Sequence, residues 1–167
     1  MNEMKIMQFP DEFIKLAGKL APTYGKRYHG CAQAVVAPFL EILGIHDEAI
    51  LATASCFAGG CGRCQICGAV SGGLIILGLR YGRRKLEDGI EALDASLEIG
   101  GELIDRFLEM HATTNCCDLT GFDLGDPDQR QAFMDSKEAT EKCEERIKNV
   151  TEWVAEIICK QEGMEVR

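Results

Sequence analysis

Two long stripes of apolar residues at helical spacing constrain this chain more than any other feature. One runs through Leu86, Ile90, Leu93, Leu97, Ile104, Phe107 and Leu108, interrupted by Gly100-Gly101. The other runs through Phe133, Ala139, Cys143, Ile147, Val150, Val154 and Ile157. Apolar residues recurring every three or four positions lie on one face of an α-helix. No window alternates with period two cleanly enough to be a strand. The pattern predicts an all-α protein: one domain over residues 1–167, a bundle of five to six helices.

The remaining helices follow from their ends. A first is expected over 11–24, after Pro10 and with Pro22 disturbing its last turn. A second covers 31–43 and is closed by Gly44; Pro38 inside it implies a kink or a late start. A third covers 47–57, with Asp47 as N-cap. A fourth covers 67–81 and is closed by Gly82. The fifth and sixth are the two stripes, over 86–110 and 127–160, the sixth opened by Pro127. Residues 118–129, rich in Gly and Asp, read as a flexible loop.

Ahead of the fourth helix lies a glycine- and cysteine-rich loop. Cys61, Cys64 and Cys67 form C-x2-C-x2-C among glycines at 59, 60, 62, 68, 72 and 73. Glycine there permits close backbone approach and positive φ. Cys67 is placed at the start of a helix, where unpaired N–H groups and the dipole favour a thiolate, the form that attacks disulfides and binds metals. The loop lacks the GK[ST] ending of a phosphate-binding loop and follows no strand.

The chain has nine cysteines, an odd number that rules out complete intramolecular pairing. A chain of 167 residues is long enough to build a core without disulfide staples. Met1 to Pro10 contains no apolar leader core, and the longest apolar stretch, residues 69–79, is too short to span a bilayer. The expectation is a cytoplasmic protein without membrane insertion, in a reducing compartment where clustered cysteines do metal or redox work. The net charge of −9 is uneven: +4 over residues 1–85 and −13 over 86–167. The acidic half argues against nucleic acid as a partner. Arg80, Arg83, Arg84 and Lys85 form a basic knot, read as a solvated helix end or a docking point for an acidic redox partner or an anion. The oligomeric state is not legible.

Set on this map, Cys31, Cys67 and Cys143 fall on inward faces of three helices, and Cys116 falls at a junction after the fifth. Four cysteines from four segments can meet in a bundle core. Cys159, sixteen residues after Cys143, lies about 160° round the helix and should face away. Cys56 reads as structural or surface, and Cys117 as a bystander next to Cys116. His29, His46 and His111 are scattered, although His29 is near enough to tune Cys31. Glu102, Asp105 and Glu109 read as a solvated face.

These positions carry a family resemblance. Cys31-Ala-Gln-Ala-Val35, Phe57-Ala-Gly-Gly60, Cys67-Gly-Ala-Val-Ser-Gly72, Leu77-Gly-Leu-Arg-Tyr-Gly82, Asn115-Cys116, Leu119-Thr-Gly121 and Cys143 together resemble the redox-active proteins named for a C…GCAxxG…C…C pattern, over roughly residues 25–145. Here the middle element reads Cys-Gly-Ala. The resemblance implies that the family's four characteristic cysteines are Cys31, Cys67, Cys116 and Cys143. A similar domain stands beside haem in an unusual cytochrome, whose cysteines are taken to hold an iron–sulfur centre. Cys56, Cys61, Cys64, Cys117 and Cys159 are additions to the pattern. No C-x-x-C-H is present, which argues against covalent haem.

The function expected is redox or electron transfer. Cys31, Cys67, Cys116 and Cys143 would be cofactor and metal ligands, for an iron–sulfur cluster ahead of zinc. The alternative is a thiol–disulfide oxidoreductase with Cys61, Cys64 and Cys67 as its reactive set, exchanging through Cys64/Cys67 or Cys61/Cys64. Cys61 and Cys64 can equally be extra ligands or incidental loop residues. A third reading is a non-catalytic metal-binding accessory protein. The four core cysteines also admit a plainer reading as buried hydrophobic thiols.

Overall fold

The computed structural model describes residues 9–164, so the reading of the N-terminal segment before Phe9 lies outside the described residues. Among those residues there are eight α-helices: α1 (Pro10–Tyr28), α2 (Cys31–Leu43), α3 (Glu48–Thr53), α4 (Gly68–Tyr81), α5 (Gly89–His111), α6 (Cys116–Thr120), α7 (Pro127–Asp135) and α8 (Lys137–Gln161). Short 3₁₀ turns stand at Ser55–Phe57 and Leu86–Asp88, and a π-type turn at Gly60–Cys64. The protein is all-α. The only β-type feature among the described residues is an isolated antiparallel bridge between Ile66 and Asn115.

The helix count exceeds the five or six expected, for two physical reasons. Residues 127–160 are two helices, because Ser136 ends α7 and its Oγ caps α8 by accepting from the Ala139 N–H. Cys116–Thr120 forms a helical turn that five residues of sequence do not announce. Its N-cap is Asn115, whose Oδ1 accepts from the N–H groups of Cys117 and Asp118. The expected third helix is shorter, ending at Thr53 before a 3₁₀ turn. Pro22 and Pro38 sit inside α1 and α2 without ending either. α1 continues to Tyr28 and stops where His29 takes a left-handed conformation, its N–H bonded to the Gly25 carbonyl. α2 ends as expected, with Gly44 at φ +68° and its N–H on the Leu40 and Glu41 carbonyls.

α8 is the central element, packed along α1 and also against α2, α4 and α5; α4 lies against α2 and α5. One apolar core joins them. Phe13, Phe39 and Phe107 are fully buried, together with Val35, Val36, Val70, Val150 and Val154. Ring edges meet between Phe13 and Phe39, and between Phe107 and Trp153. Because α8 has neighbours on several sides, Cys159 is buried although it points away from Cys143. The expected exposure of Cys159 is therefore corrected. The α5 stripe is corrected too. Leu103 and Phe107 are buried, but Leu86, in the turn before the helix, and Ile90 and Leu97, in its N-terminal half, are exposed, because among the described residues nothing covers that part of the stripe.

The α2–α4 crossing depends on glycine. A Cβ at Gly72 would stand 3.0 Å from the Ala32 Cα and 3.0 Å from the Val35 Cβ, and would overlap the Ala32 carbonyl. Gly78, later in the same helix, has open space there. Gly72→Ala should therefore destabilise the fold by about 1–3 kcal/mol through overpacking. Gly78→Ala should stabilise it by about 0.5–1 kcal/mol, by lowering the entropy of the unfolded chain. Urea unfolding of the two variants checks the sign; equal shifts would contradict the close crossing.

Candidate functional site

Cys31, Cys67, Cys116 and Cys143 line one cavity of about 290 Å³, together with His29, Gly59, Gly68, Leu119, Phe133 and Arg146. Their placement follows from helix starts. Cys31 is the first residue of α2, Cys67 caps α4, and Cys116 is the first residue of α6. Cys143 reaches the cavity from the second turn of α8. Three helix N-termini thus open at the cavity, and N-terminal dipole ends favour negative charge.

Local structure locks this arrangement. Gly68 packs against Cys31, since a Cβ there would overlap the Cys31 Sγ and stand 3.0 Å from the Phe57 carbonyl oxygen. The segment from Cys64 to Cys67 is stitched to the segment from Thr114 to Cys117. Cys67 N–H donates to the Thr114 carbonyl at 2.7 Å, and Cys116 N–H to the Gln65 carbonyl at 2.8 Å. Asn115 Nδ2 donates to the Cys64 carbonyl. Gly60, at φ +61°, lies so close that a Cβ would meet the Cys116 Cβ and the Gln65 N–H.

Burial sets the electrostatics. It pushes the Cys67 thiol up to about 11, with the neighbouring Cys31 and Cys143 adding to the rise and the N–H groups of Ala69 and Val70 opposing it. It pushes Cys116 up to about 12, helped by Cys67, Cys31 and Cys143. Cys31 and Cys143 are raised, again chiefly by burial. The expected thiolate at Cys67 is therefore corrected: desolvation and like neighbours outweigh the helix N-terminus. Groups that favour negative charge do face the sulfurs. Backbone N–H groups of Gly59, Ala32 and Gly68 point at Cys31. Arg146 Nη1 lies 3.6 Å from Cys143 Sγ while Nη2 donates to the Leu119 carbonyl at 2.7 Å. Among the described residues its Nε is buried with no hydrogen-bond partner.

The reactive set expected at 61, 64 and 67 is not brought together. Cys64 is bonded to Cys117, 53 positions away in sequence, with their Cα atoms 4.9 Å apart. Cys61 is exposed, and Cys67 is a cavity thiol. The π-type turn explains this, because Cys61 at φ +59° and Cys64 at φ +54° send the chain back on itself. Cys117, read as a bystander, is the partner of Cys64. Cys56 is exposed. His29 lines the cavity. His111 lies against Phe107 with the rings tilted at 49°, and burial and then Arg146 lower its imidazole pKa. Arg146 is the site residue that the sequence reading missed; its place three residues after Cys143 puts both on one helix face, and that spacing could have revealed it.

The family model described as "Putative redox-active protein (C_GCAxxG_C_C)" matches residues 29–157. Neither a curated protein nor a solved structure gives a significant match to the chain. The cavity cysteines and the matched span define a cysteine-rich helical protein of the redox-active class. The chain belongs to the C_GCAxxG_C_C family.

Raised thiol pKa values carry a stability consequence. An unfolded cysteine ionises near its ordinary 9.0, whereas Cys67 in the fold holds its proton to about 11. Stability from the neutral buried thiols is fully present below pH 9 and is lost as pH rises through the folded values. The urea midpoint of the metal-free chain should hold on this account to about pH 9 and fall between 9 and 11. A midpoint unchanged across that window would contradict the burial.

Proposed function

We propose that this protein is an electron carrier whose Cys31, Cys67, Cys116 and Cys143 hold an iron–sulfur centre. The observation that carries the reading is four thiols from four elements around one cavity, each kept protonated by burial. Protonated buried thiols are poor nucleophiles, which weighs against disulfide exchange at these four. Metal coordination removes their protons and supplies the positive charge that burial makes necessary.

The donor set fits the group. Iron–sulfur clusters take four cysteine thiolates, and their potential depends on hydrogen bonds to sulfur, on charge and on exposure. Helix N-termini, the N–H groups around Cys31 and the Arg146 guanidinium all stabilise an anionic centre. Zinc fits less well. A tetrahedral ion with zinc–sulfur bonds of about 2.3 Å needs its four sulfurs about 3.8 Å apart. Among the described residues, the three-donor group packed within 4.8 Å is Cys64, Cys117 and Asp123, not a set of cavity thiols. When bound, the cluster would supply one-electron chemistry; the chain's own residues bind it, exclude water and set its charge environment.

Anaerobic reconstitution with iron and sulfide, followed by metal and sulfide analysis and visible spectroscopy, tests the reading. The parent chain should retain both elements and absorb in the visible. Cys31→Ser or Cys67→Ser should lose most of both, while Cys56→Ser, at an exposed position, should retain them. A colourless parent without iron, or equal retention in all variants, would overturn the proposal.

A further inference from the structure

A second group of sulfur and oxygen donors stands apart from the cavity. Cys64 Sγ, Cys117 Sγ and a carboxylate oxygen of Asp123 lie within 4.8 Å of one another, and all three residues are half-buried. The two sulfurs are bonded to each other. Three features keep the donors together independently of that bond. The Ile66–Asn115 bridge holds the two strands of chain side by side. Asn115 caps α6 at Cys117 and also bonds the Cys64 carbonyl. Asp123 is fixed by its own loop: its Oδ1 accepts from Gly125 N–H at 2.9 Å and its N–H donates to Gln129 Oε1 at 2.9 Å. Gly125 in turn packs against the Gly62 carbonyl, closing the loop onto the π-type turn.

We propose that Cys64, Cys117 and Asp123 form a redox-gated site for a soft divalent cation of the zinc class. In the oxidised state the sulfur–sulfur bond occupies both thiolate donors and the site cannot bind. A dithiol reductant breaks that bond: two electrons and two protons convert the disulfide to two thiols, and the reductant becomes a disulfide. The cation then displaces the two thiol protons and takes two thiolates and the carboxylate, with water completing its coordination. Two thiolates and one carboxylate suit zinc or cadmium and exclude magnesium and calcium, which take all-oxygen sites. The preformed backbone frame means that reduction frees a ready site in place of two separated thiols. This site is independent of the cavity reading, since it shares no ligand with the cavity.

Zinc titration of the full chain tests it, using a chromophoric competitor with the disulfide state verified by intact mass. Phosphine-reduced parent chain should bind one equivalent of zinc more than Cys64→Ser or Cys117→Ser. The chain with the Cys64–Cys117 bond intact should lack that equivalent. Asp123→Asn, which leaves both cysteines in place, should weaken it at least tenfold, the loss expected even for an outer-shell partner. Zinc should slow alkylation of Cys64 and Cys117 by a similar factor while leaving Cys61 unaffected. Cys31→Ser should keep the equivalent, so failure of the cavity reading and failure of this one are told apart. Equal zinc binding by oxidised and reduced chains, equal binding by parent and the serine variants, or undiminished affinity in Asp123→Asn would overturn the proposal.

Discussion

Everything at the cavity depends on how closely α2 and α4 approach. Two glycines of α4, Gly68 and Gly72, face Ala32 and Cys31 with no side chain of their own. That lets the start of one helix touch the start of the other, so that Cys31 and Cys67 reach the same space. Larger residues at 68 or 72 would push the helices apart by the width of a methyl group and open the cavity to the core. Packing of this kind resists compromise, because protein interiors are filled to crystal-like density. The short pairing between residues 65–67 and 114–116 then brings Cys116 to the same place from a distant part of the chain.

Much of the fold was legible because the signals were local. Apolar spacing predicts the all-α class, and Gly44 and Asp47 mark helix boundaries that the structure has. Ser136, which separates α7 from α8, lies inside one continuous apolar stripe, and the stripe alone reads as a single helix. Pro22 and Pro38 both lie inside helices that continue past them. At the cavity, helical phase alone indicated that Cys31, Cys67 and Cys143 face inward. The Cys64–Cys117 pairing was not legible. It depends on left-handed residues 61 and 64 and on a bridge between segments some fifty positions apart, and neither leaves a periodic trace.

The thiol chemistry shows a contest that sequence cannot decide. A helix start favours a thiolate by a modest amount in an exposed setting. Removing a charge from water costs more, and four like groups at close quarters raise that cost further. The outcome here is set by burial. The cavity holds neutral sulfur, and the dipoles, N–H groups and Arg146 around it favour the negative charge that the proposed metal centre would bring.

Cys61 and Cys64 have a consequence for how tolerance to substitution is read along this chain. Each occupies a left-handed backbone conformation that costs a side-chain-bearing residue about 1–2 kcal/mol and costs glycine nothing. At ordinary loop positions the residue that folds best is also the one that survives random replacement. In this turn glycine at 64 would also remove the bond to Cys117 and its stabilisation, so the two criteria separate at Cys61: glycine at 61 would make a more comfortable turn and remove a sulfur. A library screened for thermal persistence would drift toward glycine there, whereas a library screened for thiol-dependent behaviour would hold cysteine against that drift. The difference between the two libraries measures, position by position, what the sulfur contributes beyond the fold.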